Sequence, residues 1–140
     1  MWNTVIIFII IIGLVILYNF MPNKSFYSVD NSTLKKVREN FIKLDSSYSN
    51  IPLREGSSAY TENKSIITLC LKDPKSGYVY DMNTIMYVAL HELAHMCSRT
   101  KGHDEEFQKN FTKLLKKATR LGIYNPNIPM PKSYCGVENS

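Results

Sequence analysis

The pentad His91-Glu92-Leu93-Ala94-His95 constrains this chain more than any other feature, because it sets two imidazoles four positions apart with a carboxylate between them. On a helix, residues i and i+4 share a face, so both rings can bind one ion while Glu92, rotated by about 100°, reaches a water on that ion. The chain has three histidines in all, and the third, His103, lies just downstream. The histidines therefore point to a zinc site held by His91, His95 and His103, with Glu92 as the base.

Zinc takes deprotonated N, O or S donors in a tetrahedral array, and a catalytic site leaves one position to water. Between His95 and His103 a helix can end, turn through Gly102 at positive φ, and bring the third ring back over the first two. Asp104, Glu105 or Glu106 are alternative third ligands, since carboxylates serve in some zinc peptidases, but an imidazole beside a glycine fits better. A purely structural site would fill its fourth position with Cys or His, and no spare residue of either type has suitable spacing. An accidental pentad on an ordinary helix is the bland alternative; the helical context, the apolar flanks and the third histidine speak against it. Zinc would lower the pKa of its bound water to about 7 and polarise a carbonyl, with Glu92 moving the proton to a departing amine. The expected chemistry is hydrolysis of peptide bonds. Tyr124 and Tyr134 are candidate oxyanion donors.

The amino terminus carries a second strong signal. Residues 1–23 lack ionisable side chains, and Val5 to Leu17 is almost wholly Ile, Val, Leu and Phe. With Trp2 and Tyr18 as interfacial aromatics, the segment reads as an uncleaved transmembrane anchor, and a signal peptide fits less well for want of a basic start and a small-residue cleavage site. Lys24, Lys35, Lys36 and Arg38 follow the segment, which places the remaining domain on the cytosolic side of a single-pass membrane protein. Cys70, Cys97 and Cys135 are an odd count without CxxC spacing, a pattern that suits a reducing compartment. Asn23, Asn31, Asn63 and Asn110 each open a glycosylation triplet that would test the opposite topology.

The expected fold class is α+β. A transmembrane helix at 1–23 precedes a small zincin-like domain at 24–140, divided into a helix and loop (24–58), a core (59–124) and an extended tail (125–140). Asn31-Ser32 can cap a helix carrying Leu34, Val37, Phe41 and Leu44 at three- and four-residue steps. Residues 45–58 read as loop. Residues 59–61 can pair with the apolar run 65–71 through a turn at 62–64, giving a short hairpin or sheet. The run 65–71 is also a candidate edge for binding an extended peptide. Residues 78–80 can add a short strand, and Asp81 or Asn83 can cap the pentad helix. That helix is apolar almost all round, so it should be buried, with its histidines facing a cleft. Asp104 can cap a second, amphipathic helix carrying Phe107, Phe111, Leu114, Leu115, Ala118 and Leu121 and ending at Gly122. Pro126, Pro129 and Pro131 make the tail irregular.

The stretch Tyr87 to His95 followed by Gly102-His103-Asp104-Glu105-Glu106-Phe107 resembles the WLM and SprT-like zincin metallopeptidases, which share HELxH, a downstream GH pair and a nearby Phe. The resemblance covers roughly residues 81–124. It implies a compact α+β protease core with zinc on His91, His95 and His103 and a catalytic Glu92. Members that cleave proteins crosslinked to DNA carry additional DNA-binding or partner-binding segments, whereas these residues read as an N-terminal anchor and little else. Compact, anchored zincin-like proteins encoded by large DNA viruses also look like this chain.

The formal charge is +5, and Lys109, Lys113, Lys116, Lys117 and Arg120 gather on the polar face of the second helix. Such a face is usually only solvated, but it can contact nucleic acid or anionic lipid. The expected partners are thus a protein or peptide substrate, the membrane through the first helix and, more weakly, nucleic acid. The rival to a peptidase is a noncatalytic zinc-binding membrane protein that recruits a partner, nucleic acid or anionic lipid through this face.

Overall fold

A computed structural model describes residues 1–20 and 31–138. Helix α1 spans Trp2–Phe20. After the segment 21–30, which holds Asn23 and Lys24 and lies outside the described residues, the chain forms α2 (Ser32–Leu44), a 3₁₀ turn (Ser46–Asn50), β1 (Leu53–Glu55), β2 (Tyr60–Glu62) and β3 (Ile66–Leu69). Then come α3 (Met82–Cys97), α4 (Glu105–Arg120) and a terminal hairpin of β4 (Ser133–Tyr134) and β5 (Val137–Glu138).

The first helix forms where expected but does not support a membrane anchor. Among the described residues, no helix is long and apolar enough to cross a membrane. The continuous apolar run, Val5 to Leu17, reaches about 20 Å at 1.5 Å per residue, whereas a hydrocarbon core is about 30 Å thick. The transmembrane helix and the single-pass location inferred from it are therefore not supported. The side chain of Tyr18, the second expected interfacial aromatic, lies outside the described ones. The α1 side chains from Trp2 to Leu17 are exposed except at Gly13, and none belongs to the core.

The core lies where α2 and α3 pack on one face of a three-stranded sheet in the order β1-β3-β2 and α4 packs on α3 and α2. Strand β3 pairs parallel with β1 and antiparallel with β2, in a register that sets Leu53, Ile67 and Thr61 side by side. Directly paired residues share a face, so all three point toward the helices. The other face carries Arg54, Thr68 and Tyr60 in a row. There Arg54 donates to Thr68 Oγ1 at 2.7 Å, to the Tyr60 hydroxyl at 3.1 Å and to Glu62 Oε2 at 2.6 Å, lacing the three strands together. Since β3 has a strand on each side, the expectation that 65–71 offers a free edge fails. The edge on the pentad side belongs to β2.

The helices start as their caps dictate. Asn31 Oδ1 accepts from Thr33 N at 3.0 Å, Asp81 Oδ1 from Thr84 N at 3.1 Å and Asp104 Oδ1 from Phe107 N at 3.0 Å. Each cap satisfies an amide that would otherwise lack an intrahelical acceptor, typically worth about 1 kcal/mol. The stripe Leu34, Val37, Phe41 and Leu44 of α2 is buried, as are Phe107, Phe111, Leu114 and Ala118 of α4. Leu121, expected in that stripe, is exposed. Gly122 ends α4 at φ 70°, whereas Gly102 has no positive φ. Instead α3 stops at Cys97, and Ser98, in extended backbone, donates its amide to the His95 carbonyl.

Three other features depart from the sequence expectation. Residues 45–58, read as loop, contain the 3₁₀ turn and β1, and residues 78–80 contribute only an isolated bridge between Val79 and Lys72. The tail closes in the β4-β5 hairpin, where Tyr134 is buried. Cys135 there forms a disulfide with Cys70, their Cα atoms 6.4 Å apart, which leaves Cys97 as the free thiol. The odd cysteine count thus conceals one bridge.

Candidate metal centre

Helix α3 presents His91 and His95 on one side and buries Met86, Leu90 and Leu93 on the other. The loop after α3 folds back so that His103, just ahead of α4, lies over both rings. His103 Nε2 is 3.0 Å from His91 Nε2 and 3.0 Å from His95 Nε2. Phe107 packs against all three rings, with its centroid 4.9, 4.4 and 4.8 Å from those of His91, His95 and His103. Phe111 adds a second contact to His91 at 5.3 Å. The first turns of α4 thus form an aromatic floor that fixes the ring planes.

The donor set suits a metal ion. One Nε2–H on His103 can satisfy only one of its two close nitrogen neighbours, whereas a cation at the centre satisfies all three lone pairs. A tetrahedral zinc at about 2.0–2.1 Å from each nitrogen would set the nitrogens about 3.4 Å apart, a few tenths of an ångström from the observed spacing. The three histidines are the group that could hold an ion among the described residues. Burial holds the His91 imidazole down to about 4, and the neighbouring His95 and His103 rings act in the same direction. Burial also lowers His95, with His103 and the Lys64 ammonium adding to it. Both rings thus favour the neutral form that a metal ligand needs.

The acidic alternatives are otherwise engaged. Asp104 caps α4, Glu106 pairs with Arg99 at 3.3 Å, and Glu105 borders a surface hollow with Lys109 and Arg120.

Glu92 faces the sheet beside the histidines and is only 6% exposed. Its Oε2 accepts a hydrogen bond from Thr61 Oγ1 of β2 at 2.7 Å. Burial raises the Glu92 carboxyl above its ordinary range, while the Thr61 bond and His103 pull the other way. A cleft of about 530 Å³ opens over this group, lined by Ala59, by Tyr60 and Thr61 of the edge strand, by the three histidines and Glu92, and by Lys64, Thr100 and Lys101. His91 and His95 are half-buried and His103 exposed, so the cleft is more open than the internal one expected.

Neither tyrosine proposed as an oxyanion donor lines this cleft. The Tyr134 hydroxyl donates to the Cys70 carbonyl at 2.5 Å and accepts from the Cys70 amide at 3.1 Å. Tyr124 stacks on Tyr87 with centroids 5.8 Å apart. Two residues that the sequence did not single out do reach the site. Thr61 is one. The other is Lys64, whose ammonium donates to the carbonyls of Ser98 and Thr100 on the loop that carries His103. Their signal is faint: an alternating strand ahead of the pentad and a lysine in its turn.

The basic residues of α4 are all exposed. Lys109, Lys113, Lys116 and Arg120 border one surface hollow, while Lys117 turns to a second one with Lys113, Tyr48 and Cys97.

No protein-family model matches the chain. It is 45% identical over 87 residues to protein 136R of Invertebrate iridescent virus 6, covering 61% of this chain and 49% of that protein. It is 42% identical over 90 residues to protein 042R of Invertebrate iridescent virus 3, covering 64% and 57%. With protein R325 of Acanthamoeba polyphaga mimivirus the identity is 39% over 101 residues, covering 70% and 51%. The chain thus spans about half the length of the curated relatives it matches. Among solved structures it resembles a point mutant of Wss1 from S. pombe, with a TM-score of 0.53 and 25% identity over 66% of this chain and 89% of that one. It also resembles Wss1 from Saccharomyces cerevisiae, with a TM-score of 0.56 and 19% identity over 71% and 88%. The described domain is a small α+β unit with the WLM-like fold of Wss1.

Proposed function

We propose that this chain is a zinc-dependent peptidase in which His91, His95 and His103 hold the metal and Glu92 is the general base. The observation that carries this reading is the convergence of three Nε2 atoms beside a buried carboxylate at the floor of one cleft. The Wss1-like fold supports it, as does the sequence resemblance to WLM and SprT-like zincins.

A zinc ion held by these nitrogens would activate a water at neutral pH and polarise the carbonyl of the scissile bond. With Oε2 accepting from Thr61, Oε1 of Glu92 would be the oxygen that takes a proton from the attacking water and gives it to the departing amine nitrogen. The outer side of β2 has no strand partner among the described residues and borders the cleft, so an extended peptide can pair with it and lie across the histidines.

The test is zinc stoichiometry in the wild type and in His103→Ala, followed by a peptide-hydrolysis screen with Glu92→Gln as control. One zinc per chain, lost or much weakened in His103→Ala, with hydrolysis abolished in a zinc-loaded Glu92→Gln, is the expected result. Absence of zinc from a folded wild type would overturn the reading. The exposed cations around the α4 hollow favour a second one, a noncatalytic zinc-binding module that recruits an anionic partner. Under that reading Glu92→Gln would change nothing.

A further inference from the structure

The bond between Thr61 and Glu92 joins two parts of the cleft that have different tasks. Register places Thr61 opposite Ile67, so its side chain points inward from the strand that borders the cleft, toward α3. There Oγ1 lies 2.7 Å from Glu92 Oε2 and 3.1 Å from the Glu92 backbone oxygen. A hydroxyl has one proton, and the carboxylate is both the nearer and the stronger acceptor. The lone pairs of Oγ1 cannot face a carboxylate lone pair at this distance, so the proton lies between them. The contact therefore fixes which carboxylate oxygen faces the strand and which is left for a reacting proton.

We propose that Thr61 is the positioning residue for Glu92, holding Oε2 against the edge strand so that Oε1 is presented to the substrate side of the cleft. Resting on the peptidase reading, this deepens it by coupling orientation of the base to the strand on which the peptide would lie. A carboxylate without this bond turns freely about its last torsion, which is broad for an sp³–sp² bond. The bond fixes the plane of the carboxylate, holding one oxygen against the strand and leaving the other free. Seating of a peptide on β2 and aim of the base are then set by the same three-residue strand, Tyr60–Glu62.

Thr61→Val keeps the branched shape and removes the hydroxyl, and Thr61→Ser restores the hydroxyl without the methyl. The measurements are kcat and KM for a peptide, zinc content, melting temperature, and the ¹³C resonance of the Glu92 carboxyl in zinc-loaded full-length protein, assigned with Glu92→Gln. Thr61→Val should lower kcat about tenfold with KM and zinc content unchanged and move the Glu92 resonance. Thr61→Ser should return both toward wild type. A resonance that stays in place in Thr61→Val, or an unchanged kcat in an active enzyme, overturns the positioning role and leaves the peptidase reading intact. A zinc-loaded wild type that cleaves no peptide overturns both. Loss of folding in Thr61→Val would move the decision to Thr61→Ser, where wild-type kcat and resonance support the role and a lowered kcat with an unmoved resonance overturns it.

Discussion

The Lys64 ammonium donates to the Thr100 carbonyl at 3.0 Å, tying the turn between β2 and β3 to the loop that brings His103 over the pentad. The same ammonium also meets the Ser98 carbonyl, beyond the last turn of α3, where a cation is favoured by the helix dipole. Lys64→Met should loosen the loop and weaken zinc binding by about tenfold, as outer-shell changes commonly do. Competition with a chromophoric chelator measures it, and unchanged affinity would show that the loop holds His103 unaided.

Metal removal should lower stability as well as activity. A ligand at one hundred times its Kd stabilises the folded state by about 2.7 kcal/mol, provided it ignores the unfolded chain. Denaturant melts with and without a chelator should therefore differ by about this amount in the wild type. In His103→Ala, measured at the same free zinc, the difference should shrink toward zero.

The Cys70–Cys135 disulfide closes a loop with a sequence separation of 65. In the chain-entropy account such a closure is worth about 4 kcal/mol, and measured values run about 2–5. Reduction, or Cys135→Ser, should lower unfolding free energy by that order while zinc content stays the same, because neither cysteine lines the histidine cleft. Tyr134 still grips the Cys70 backbone from the same hairpin, so Tyr134→Phe should cost more in reduced protein than in oxidised.

Asp73 gives the acid limb of stability a defined sign. Its carboxylate accepts from the amides of Lys75 at 2.8 Å and Ser76 at 2.9 Å, and these bonds hold its pKa below the ordinary range. A group whose folded pKa is depressed stabilises the protein above its unfolded pKa, near 3.9, and loses that contribution as pH falls through the folded value. The stability gap between wild type and Asp73→Asn should thus be present at pH 7 and fade below about pH 4. Urea titrations across that interval would read it.

Gly56 is required for close approach. A Cβ there would lie 2.6 Å from Thr68 Cγ2, while the Gly56 amide donates to the Leu69 carbonyl at 2.9 Å. Thr68 is itself buried and held by Arg54. Gly56→Ala should destabilise by about 1–3 kcal/mol, the range for overpacking, with zinc binding unaffected.

Legibility from sequence followed the distance between partners. His91, His95 and His103 could be placed together because a helical period and one short loop connect them. The caps Asn31, Asp81 and Asp104 were equally plain, being local bonds to residues two or three positions on. Strand β1 was not, since Leu53-Arg54-Glu55 has no β-branched run and owes its form to parallel pairing with residues 67–69. Cys135 and Tyr134 lie beyond three prolines, and their partner, Cys70, sits at the far end of a long loop that no periodicity links. The membrane reading failed on length: uncharged polar residues after Leu17 extended an apolar run that by itself is too short.

His91 and His103 are 12 positions apart, whereas Thr61 reaches Glu92 across 31 and only after β2 has docked beside α3. Short closures cost less chain entropy than long ones, so the histidine cluster asks less of the chain than the contact between Thr61 and Glu92 does. Orientation of the base comes with the long-range pairing. Under the proposed reading, a chain whose sheet has not yet docked would lack the partner that aims its glutamate, so an aimed base is a property of the assembled fold.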